Sequence, residues 1–151
     1  MKIDDLLLNA LQKIKDENDA DYLNEIIVLI QKNELYRSKI DEILLKFKMD
    51  NPQEVQLDFL DLILQYIEFV LEDDLIEETE YYNVTQLKRL FQIKVGDFYT
   101  QRHSAVQAIL KKQLLKIYED QQLDRSEIIH QFQLQGLFDL SYDQFSEFIG
   151  A

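Results

Sequence analysis

The sequence predicts an all-α fold, and three observations lead to that prediction. Apolar residues recur at helical spacing along nearly the whole chain, with short polar breaks between the segments. Only three Gly and one Pro occur in 151 residues, which is too few turn-forming residues for an all-β sandwich or barrel. Hydrophobic residues make up 46% of the chain, enough for a sizeable core. We therefore expect one all-α domain over residues 1–151, a compact array of about eight helices.

The first three predicted helices cover residues 3–15, 20–32 and 34–48. In the first of them one face carries four apolar residues, Leu7, Leu8, Leu11 and Ile14. The apolar run at residues 26–30 has strand propensity, but it stands among helical patterns without a partner strand and favours helix. Because the apolar faces of these helices are too rich to remain in water, we expect residues 1–50 to dock on the rest of the chain.

The fourth predicted helix, residues 52–72, is expected to be the central helix. It begins at Asn51-Pro52, which supplies an N-cap residue and a Pro at the first helical position. Its later polar residues form one narrow stripe, and the positions around that stripe are apolar: Asp61, Gln65, Glu68 and Glu72. The remaining predicted helices cover residues 77–92, 95–119, 125–138 and 142–149, the last one opening with a capping box at Ser141.

An internal repeat relates two parts of the chain at an offset of 47 residues. Residues 72–98 align with residues 119–145 without a gap, and 8 of the 27 pairs are identical. The identical pairs are Glu72/Glu119, Asp73/Asp120, Glu80/Glu127, Gln86/Gln133, Leu87/Leu134, Leu90/Leu137, Phe91/Phe138 and Phe98/Phe145. Each copy is predicted to be a helix, an acidic corner, a second helix and a short turn into the next helix.

The acidic corners and the turns after them resemble those of TerB-like (tellurite-resistance) domains. The family pattern is Ala-Asp-Gly-x-Ile-x-x-x-Glu, then a helix and a Leu-Gly-Leu-Ser-like turn before a Phe. The matching corner residues are Asp73, Ile76 and Glu80 in the first copy and Asp120, Leu123 and Glu127 in the second. The sequence departs from the pattern where acids replace Ala and where other polar residues replace Gly, at Glu72, Glu119, Asp74 and Gln121. The resemblance covers about residues 52–151 and implies a cytoplasmic bacterial protein of stress-associated or phage-defence-associated systems.

Composition excludes several classes of function. The chain has no Cys and only two His, which argues against zinc and thiol enzymes. Its net charge of -13 repels phosphate backbones, so we expect no nucleic-acid partner. The most apolar stretch, residues 59–71, is interrupted by three polar residues and is too short to span a membrane. The first residues lack the pattern of a signal peptide, and a cytoplasmic location is expected.

The acidic corners suggest a cation site, but ordinary roles account for their acids. An EF-hand loop is excluded because its first and third ligand positions would be Phe69 and Leu71. A looser divalent site would use Asp73, Asp74, Glu77 and Glu80. We favour capping instead, in which Glu77 or Asp124 caps the next helix and Glu80 or Glu127 reaches back to it. No metal, cofactor or catalytic residue is therefore assigned, and Ile76 and Leu123 are expected to plug the corners into the core.

The favoured function from the sequence is a non-enzymatic protein-interaction module. The proposed contact residues are Asp73, Asp74, Glu77, Tyr81 and Tyr82, since Tyr gives a large contact area at small entropic cost. The two histidines, His103 and His130, are expected to be solvated surface residues. An alternative that stays open is an immunity-type inhibitor, in which a small acidic protein covers the positive cleft of a basic toxin.

Overall fold

The computed structural model describes the backbone of residues 1–72, 76–118 and 125–150, with side chains except those of residues 117, 118, 125, 126 and 150. These residues contain helices and no strand, which confirms the all-α prediction. The helices are α1 (Asp5–Glu17), α2 (Asp21–Gln31), α3 (Arg37–Lys46), α4 (Pro52–Leu71), α5 (Glu78–Leu90), α6 (Asp97–Gln101), α7 (His103–Tyr118), α8 (Arg125–Leu137) and α9 (Tyr142–Gly150).

The first 50 residues fold into the three expected helices. Asp4 caps α1 by accepting a hydrogen bond from the backbone N–H of Leu7. Buried residues of α1, α2 and α3 belong to the same hydrophobic cluster as those of α4. The third helix begins at Arg37 rather than at residue 34, because α2 ends in a left-handed turn at Asn33, where φ is 56° and Glu34 N–H bonds to the carbonyl of Leu29.

Helix α4 is the central helix, as predicted. The side chain of Asn51 accepts hydrogen bonds from Gln53 and Glu54, and Pro52 opens the helix. Half of its 20 residues are buried, while Gln65 and Glu68 of the polar stripe are exposed. It packs against α1, α5 and α7, so both halves of the chain share its core.

The helix predicted over residues 95–119 is instead two helices, α6 and α7. Arg102 leaves the helical conformation at their junction, with φ of -134° and ψ of 38°. Its guanidinium makes two hydrogen bonds to the carboxylate of Asp61 on α4, at 2.6 and 3.0 Å. The bend is associated with this long-range ion pair, which helical periodicity alone does not reveal.

The internal repeat appears in the structure as matched element boundaries. Helices α5 and α8 begin and end 47 residues apart. The turns that follow them match as well: Gln92 has φ of 57° and Asp139 has φ of 53°. In both turns the next N–H bonds back to a carbonyl five residues earlier, Ile93 to Lys88 at 2.9 Å and Leu140 to Gln135 at 3.0 Å. The two copies therefore share one backbone frame from the start of the second helix to the end of its turn.

The repeated aromatic residues are buried, as predicted: Phe91, Phe98, Phe138 and Phe145. Phe91 stacks on Phe59 of α4, and Phe138 meets Phe98 edge-on. The same type of turn also closes α3, where Lys48 has φ of 54° and follows Phe47. The repeat alignment does not include this turn or the similar one at Asn33 after α2, because neither lies 47 residues before the turn at Gln92.

Within the part of the chain that the structure describes, no helix combines the length and the apolar character needed to cross a membrane.

Candidate functional site

Exposed carboxylates surround the first corner of the repeat. We call the residues Glu68, Glu72, Glu77 and Glu78 the acidic end; all four are exposed. Asp73 and Asp74, which the sequence placed at the centre of the site, lie outside the described residues, as do Asp120, Leu123 and Asp124 of the second corner. Ile76 is buried, which confirms its predicted role as a plug that ties the first corner to the core.

The predicted capping box at the start of α5 is wrong. Glu77 occupies the N-cap position, but its side chain makes no capping hydrogen bond. Glu80, the other residue of the predicted box, is buried. Its charge contributes to raising the pKa of the nearby Tyr66, after the larger effect of burial. The amino-acid sequence of this corner does not reveal that Glu80 is buried while Glu77 and Glu78 are exposed.

The two candidate tyrosines have different environments. Tyr82 is 49% exposed and lies one turn into α5, next to the acidic end. Tyr81 is half-buried, with its hydroxyl close to Gly136 of α8, where an added Cβ would come within 2.2 Å. Burial raises the pKa of Tyr81, and the charge of Asp139 adds to that shift. Tyr82 is therefore available to a partner, whereas Tyr81 holds two helices of the chain together.

A buried polar pair lies at the same place in each copy of the repeat. In the first copy Tyr66 lies near Asn83, and both are buried. In the second copy His130 Nε2 lies 3.4 Å from Gln113 Oε1, again with both residues buried. The partners are 17 residues apart in both copies. The side chains that form the pair differ between the two copies, but their positions in the repeat are the same.

The prediction that both histidines are solvated is wrong for His130, which is only 1% exposed. His130 aligns in the repeat with Asn83, which is also buried. His103 is partly exposed and packs between Tyr99 and Phe148, at ring centroid distances of 4.9 and 4.7 Å. His103 Nδ1 lies 3.3 Å from the carbonyl oxygen of Tyr99.

Asn83 also fixes the beginning of the chain. Its Oδ1 accepts the N–H of Lys2 at 2.8 Å, and its Nδ2 donates to the carbonyl of Lys2 at 2.9 Å. These two bonds satisfy both ends of a fully buried amide. The first repeat copy therefore anchors the segment that precedes α1.

Two surfaces were not predicted from the sequence. The first is an open groove of about 670 Å³ between α2 and α3, floored by Val28, Leu29, Ile43 and Phe47, with two lysines and two carboxylates at its rim. The second is the α8 outer face, which we define as Ile128, Ile129 and Phe132; all three are exposed. The repeat alignment could have drawn attention to the second surface, since it places Phe132 opposite Thr85.

The described residues contain no group of three or more His, Asp or Glu side chains positioned to hold a metal ion. Comparison of the chain with protein-family models, with curated proteins and with solved structures found no match.

Proposed function

We propose that this chain is a non-enzymatic protein-binding module of a bacterial stress- or defence-associated system, similar to the TerB-like domains, and that it docks a basic protein. The observation that carries the proposal is the acidic end, whose four exposed carboxylates flank the first corner, with the exposed Tyr82 four residues after Glu78. A surface of this kind attracts a positively charged partner and speeds its association, while the tyrosine supplies contact area.

The charge of the whole chain supports the same proposal. The net charge is -13, and residues 51–93 hold ten acids and two basic residues. The ion pairs among the described residues involve other carboxylates: Glu25, Asp41, Glu42, Asp61 and Asp139. None of the four carboxylates of the acidic end takes part in those ion pairs, which leaves them able to meet a basic partner.

The family part of the proposal is supported by the arrangement of the repeat. The 47-residue correspondence of α5 with α8, and of the turns after them, is the arrangement that the TerB-like resemblance implies. The corner residues that depart from the family pattern include Asp74 and Gln121, which lie outside the described residues.

The second candidate is an immunity-type inhibitor of a basic toxin, and the strong acidity of the chain favours it. Such an inhibitor would use the acidic end to cover a positively charged cleft. It differs from an adaptor in what binding does to the partner: the inhibitor abolishes the partner's activity, and the adaptor leaves that activity intact.

A pair of charge-matched variants tests the proposal. The first variant combines Glu72→Gln, Glu77→Gln and Glu78→Gln at the acidic end. The control variant combines Glu34→Gln, Asp50→Asn and Asp143→Asn, which are exposed residues on other parts of the surface. Each variant removes three negative charges, so both carry a net charge of -10.

The basic proteins that the unaltered chain captures from the source lysate are purified, and their association rates with the three chains are measured. At about 0.05 M NaCl we expect the acidic-end variant to associate roughly tenfold more slowly and the control about twofold more slowly. Equal slowing of both variants, or capture of no basic protein, would contradict the proposal. Assaying the captured protein with and without the chain separates the inhibitor from the adaptor.

A further inference from the structure

A pocket of about 410 Å³ lies where the turns after α3 and α5 meet the first turns of α4, and we call it the α3–α4 pocket. Its apolar wall consists of Leu44, Met49, Val55, Phe59 and Phe91. The rings of Phe59 and Phe91 stack with their centroids 4.2 Å apart and are almost fully buried, so packing holds the aromatic part of the wall in place. Small-molecule sites are typically concavities of about 300–1,000 Å³ with walls of this kind.

Backbone hydrogen bonds fix the shape of the α3–α4 pocket. Met49 N–H bonds to the carbonyl of Leu44 at 2.8 Å and closes the left-handed turn at Lys48. The turn at Gln92 is closed in the same way, and Gln92 also lines the pocket. The walls contributed by both turns are therefore in place before a ligand binds, which lowers the entropic cost of binding.

The charged residues that line the α3–α4 pocket are cations. Arg37 and Lys94 lie on its wall, and among the described residues no Asp or Glu does. The chain as a whole has 29 acidic residues against 16 basic ones, so the pocket differs in charge from most of the protein. The larger groove between α2 and α3 has two lysines and two carboxylates, which do not select the charge of a ligand. The two cations of the α3–α4 pocket favour an anion.

Arg37 is placed to receive a carboxylate. Its Nη1 donates to the carbonyl of Leu90 at 3.2 Å, which anchors the guanidinium, and its Nη2 lies 3.2 Å from the carboxylate of Asp41. A guanidinium has five N–H donors, more than these two contacts use. The ion pair with Asp41 is exposed and contributes little, so a ligand carboxylate can compete with it. The planar guanidinium binds carboxylates through two parallel hydrogen bonds.

The internal repeat shows that the backbone of the turn does not dictate this charge. Gln92 and Lys94 belong to the turn after α5, and the equivalent residues after α8 are Asp139 and Ser141. Asp139 forms an ion pair with Lys88 at 3.0 Å. The same turn thus carries a carboxylate in the second copy and an amide and a cation in the first. The lining of the α3–α4 pocket is a property of the side chains of the first copy.

We propose that the α3–α4 pocket binds a small organic anion with a flat aromatic body and a single carboxylate. The body lies against the wall at Phe59 and Phe91, and the carboxylate meets Arg37 and Lys94. A single charge is favoured over a phosphate ester, because a chain with a net charge of -13 repels a doubly charged ligand more strongly. The acidic end lies at the opposite end of α4, so this site does not depend on the proposed protein partner.

An NMR titration of the isotopically labelled full chain with cinnamate, a flat aromatic monocarboxylate, tests the proposal. We expect saturable shifts of the backbone amide signals around the α3–α4 pocket, with a dissociation constant below about 1 mM. Cinnamamide, which has the same shape without the charge, should bind at least about fivefold more weakly. Acetate, which lacks the aromatic body, should not saturate the site below about 10 mM.

A pair of charge-matched variants tests the role of Arg37. Arg37→Gln should raise the dissociation constant of cinnamate at least about fivefold. The control is Lys39→Gln, which removes the same charge from an exposed residue of the same helix, at the rim of the groove between α2 and α3, and should have less than about a twofold effect. Gln92→Asp, which introduces the residue of the second copy, and Lys94→Gln at an exposed position should each weaken binding about twofold or more.

Several results would overturn the proposal. These are the absence of saturable shifts up to about 10 mM cinnamate, shifts confined to another part of the protein, and equal affinities for cinnamate and cinnamamide. Equal weakening by Arg37→Gln and Lys39→Gln would also contradict it, because the anion would then respond only to the net charge. Circular dichroism checks the fold of each variant, and if Arg37→Gln were unfolded, Lys94→Gln and Gln92→Asp would decide the outcome against the same control.

Discussion

In the unit formed by α4 and α5, the outer side of the second helix is covered by α8, whereas in the unit formed by α7 and α8 the corresponding side is exposed. The backbone does not account for this difference, because α5 and α8 have the same bounds at an offset of 47 residues and end in the same turn. It comes from α8, which packs on this side of α5, and the side chains there also change, from Tyr81 and Thr85 to Ile128 and Phe132. A repeat can therefore keep its backbone frame while the exposure and the side chains of its outer surface change.

The buried polar pairs show the same separation of frame from chemistry. Tyr66 and Asn83 in the first unit correspond to Gln113 and His130 in the second, and all four are buried. The first pair also holds the backbone of Lys2, so its chemistry follows from the segment that packs on it. Residues that face the shared core determine the backbone arrangement that both copies have. At positions that face a neighbouring element, the type of side chain varies with that element.

The largest expected effect comes from equivalent core residues. Leu87 and Leu134 are both fully buried, so Leu87→Ala and Leu134→Ala should each lower the free energy of unfolding by about 2–5 kcal/mol, measured by urea denaturation. The exposed Leu45→Ala should change it by less than about 0.5 kcal/mol. A cost near that of Leu45→Ala for Leu134→Ala alone would show that the second unit is not packed into the shared core.

Alkaline pH should distinguish the two polar pairs. Burial raises the pKa of Tyr66 to about 12, above the value of about 10 expected in the unfolded chain. The stability that this group contributes is fully present below pH 10 and is lost as the pH rises towards 12, by at most roughly 1.4 kcal/mol per pH unit. Gln113, at the equivalent position, does not ionise.

The measurement is urea denaturation at pH 8, 10 and 11 for the unaltered chain and for Tyr66→Phe. The stability difference between the two should shift in favour of Tyr66→Phe as the pH rises above 10, while Tyr82→Phe at the exposed neighbour of the corner serves as the control. A difference that stays constant over this range would mean that Tyr66 is not protected from ionisation by burial.

The turns after α5 and α8 allow a smaller test. A side chain at positive φ is strained, so Gln92→Gly should stabilise the protein by about 0.5–1 kcal/mol in urea denaturation. Asp139→Gly should gain less or lose stability, because Asp139 accepts a hydrogen bond from Lys88 at 3.0 Å in a partly buried ion pair. Equal stabilisation by both substitutions would indicate that the ion pair contributes nothing.

The smallest expected effect concerns divalent cations at the first corner. If its acids are solvated charges and not ligands, calcium or magnesium should shift the melting temperature no more than NaCl at matched ionic strength, since only a ligand bound to the native state stabilises it specifically. A saturable shift with calcium that Asp73→Asn abolishes, while Asp120→Asn leaves it intact, would assign a metal site to the first corner.

Local signals in the sequence predicted most of the fold. The cap at Asn51 and the capping box between Ser141 and Gln144 both form as expected, because a capping bond involves residues only two or three positions apart. The polar stripe of α4 and the buried phenylalanines of the repeat follow from helical periodicity, which is likewise local. The sequence by itself thus determined the helical class, most element boundaries and the 47-residue repeat.

Only the tertiary structure decided the features that depend on distant neighbours. Arg102 lies at the junction of α6 and α7, and its side chain is hydrogen-bonded to Asp61, 41 residues away. Tyr81 is half-buried because its ring packs on Gly136 of α8. His130 is buried and Phe132 is exposed although they are two residues apart on one helix. Burial depends on which element packs on a helix face, and that information lies in contacts between distant residues and not in the local pattern.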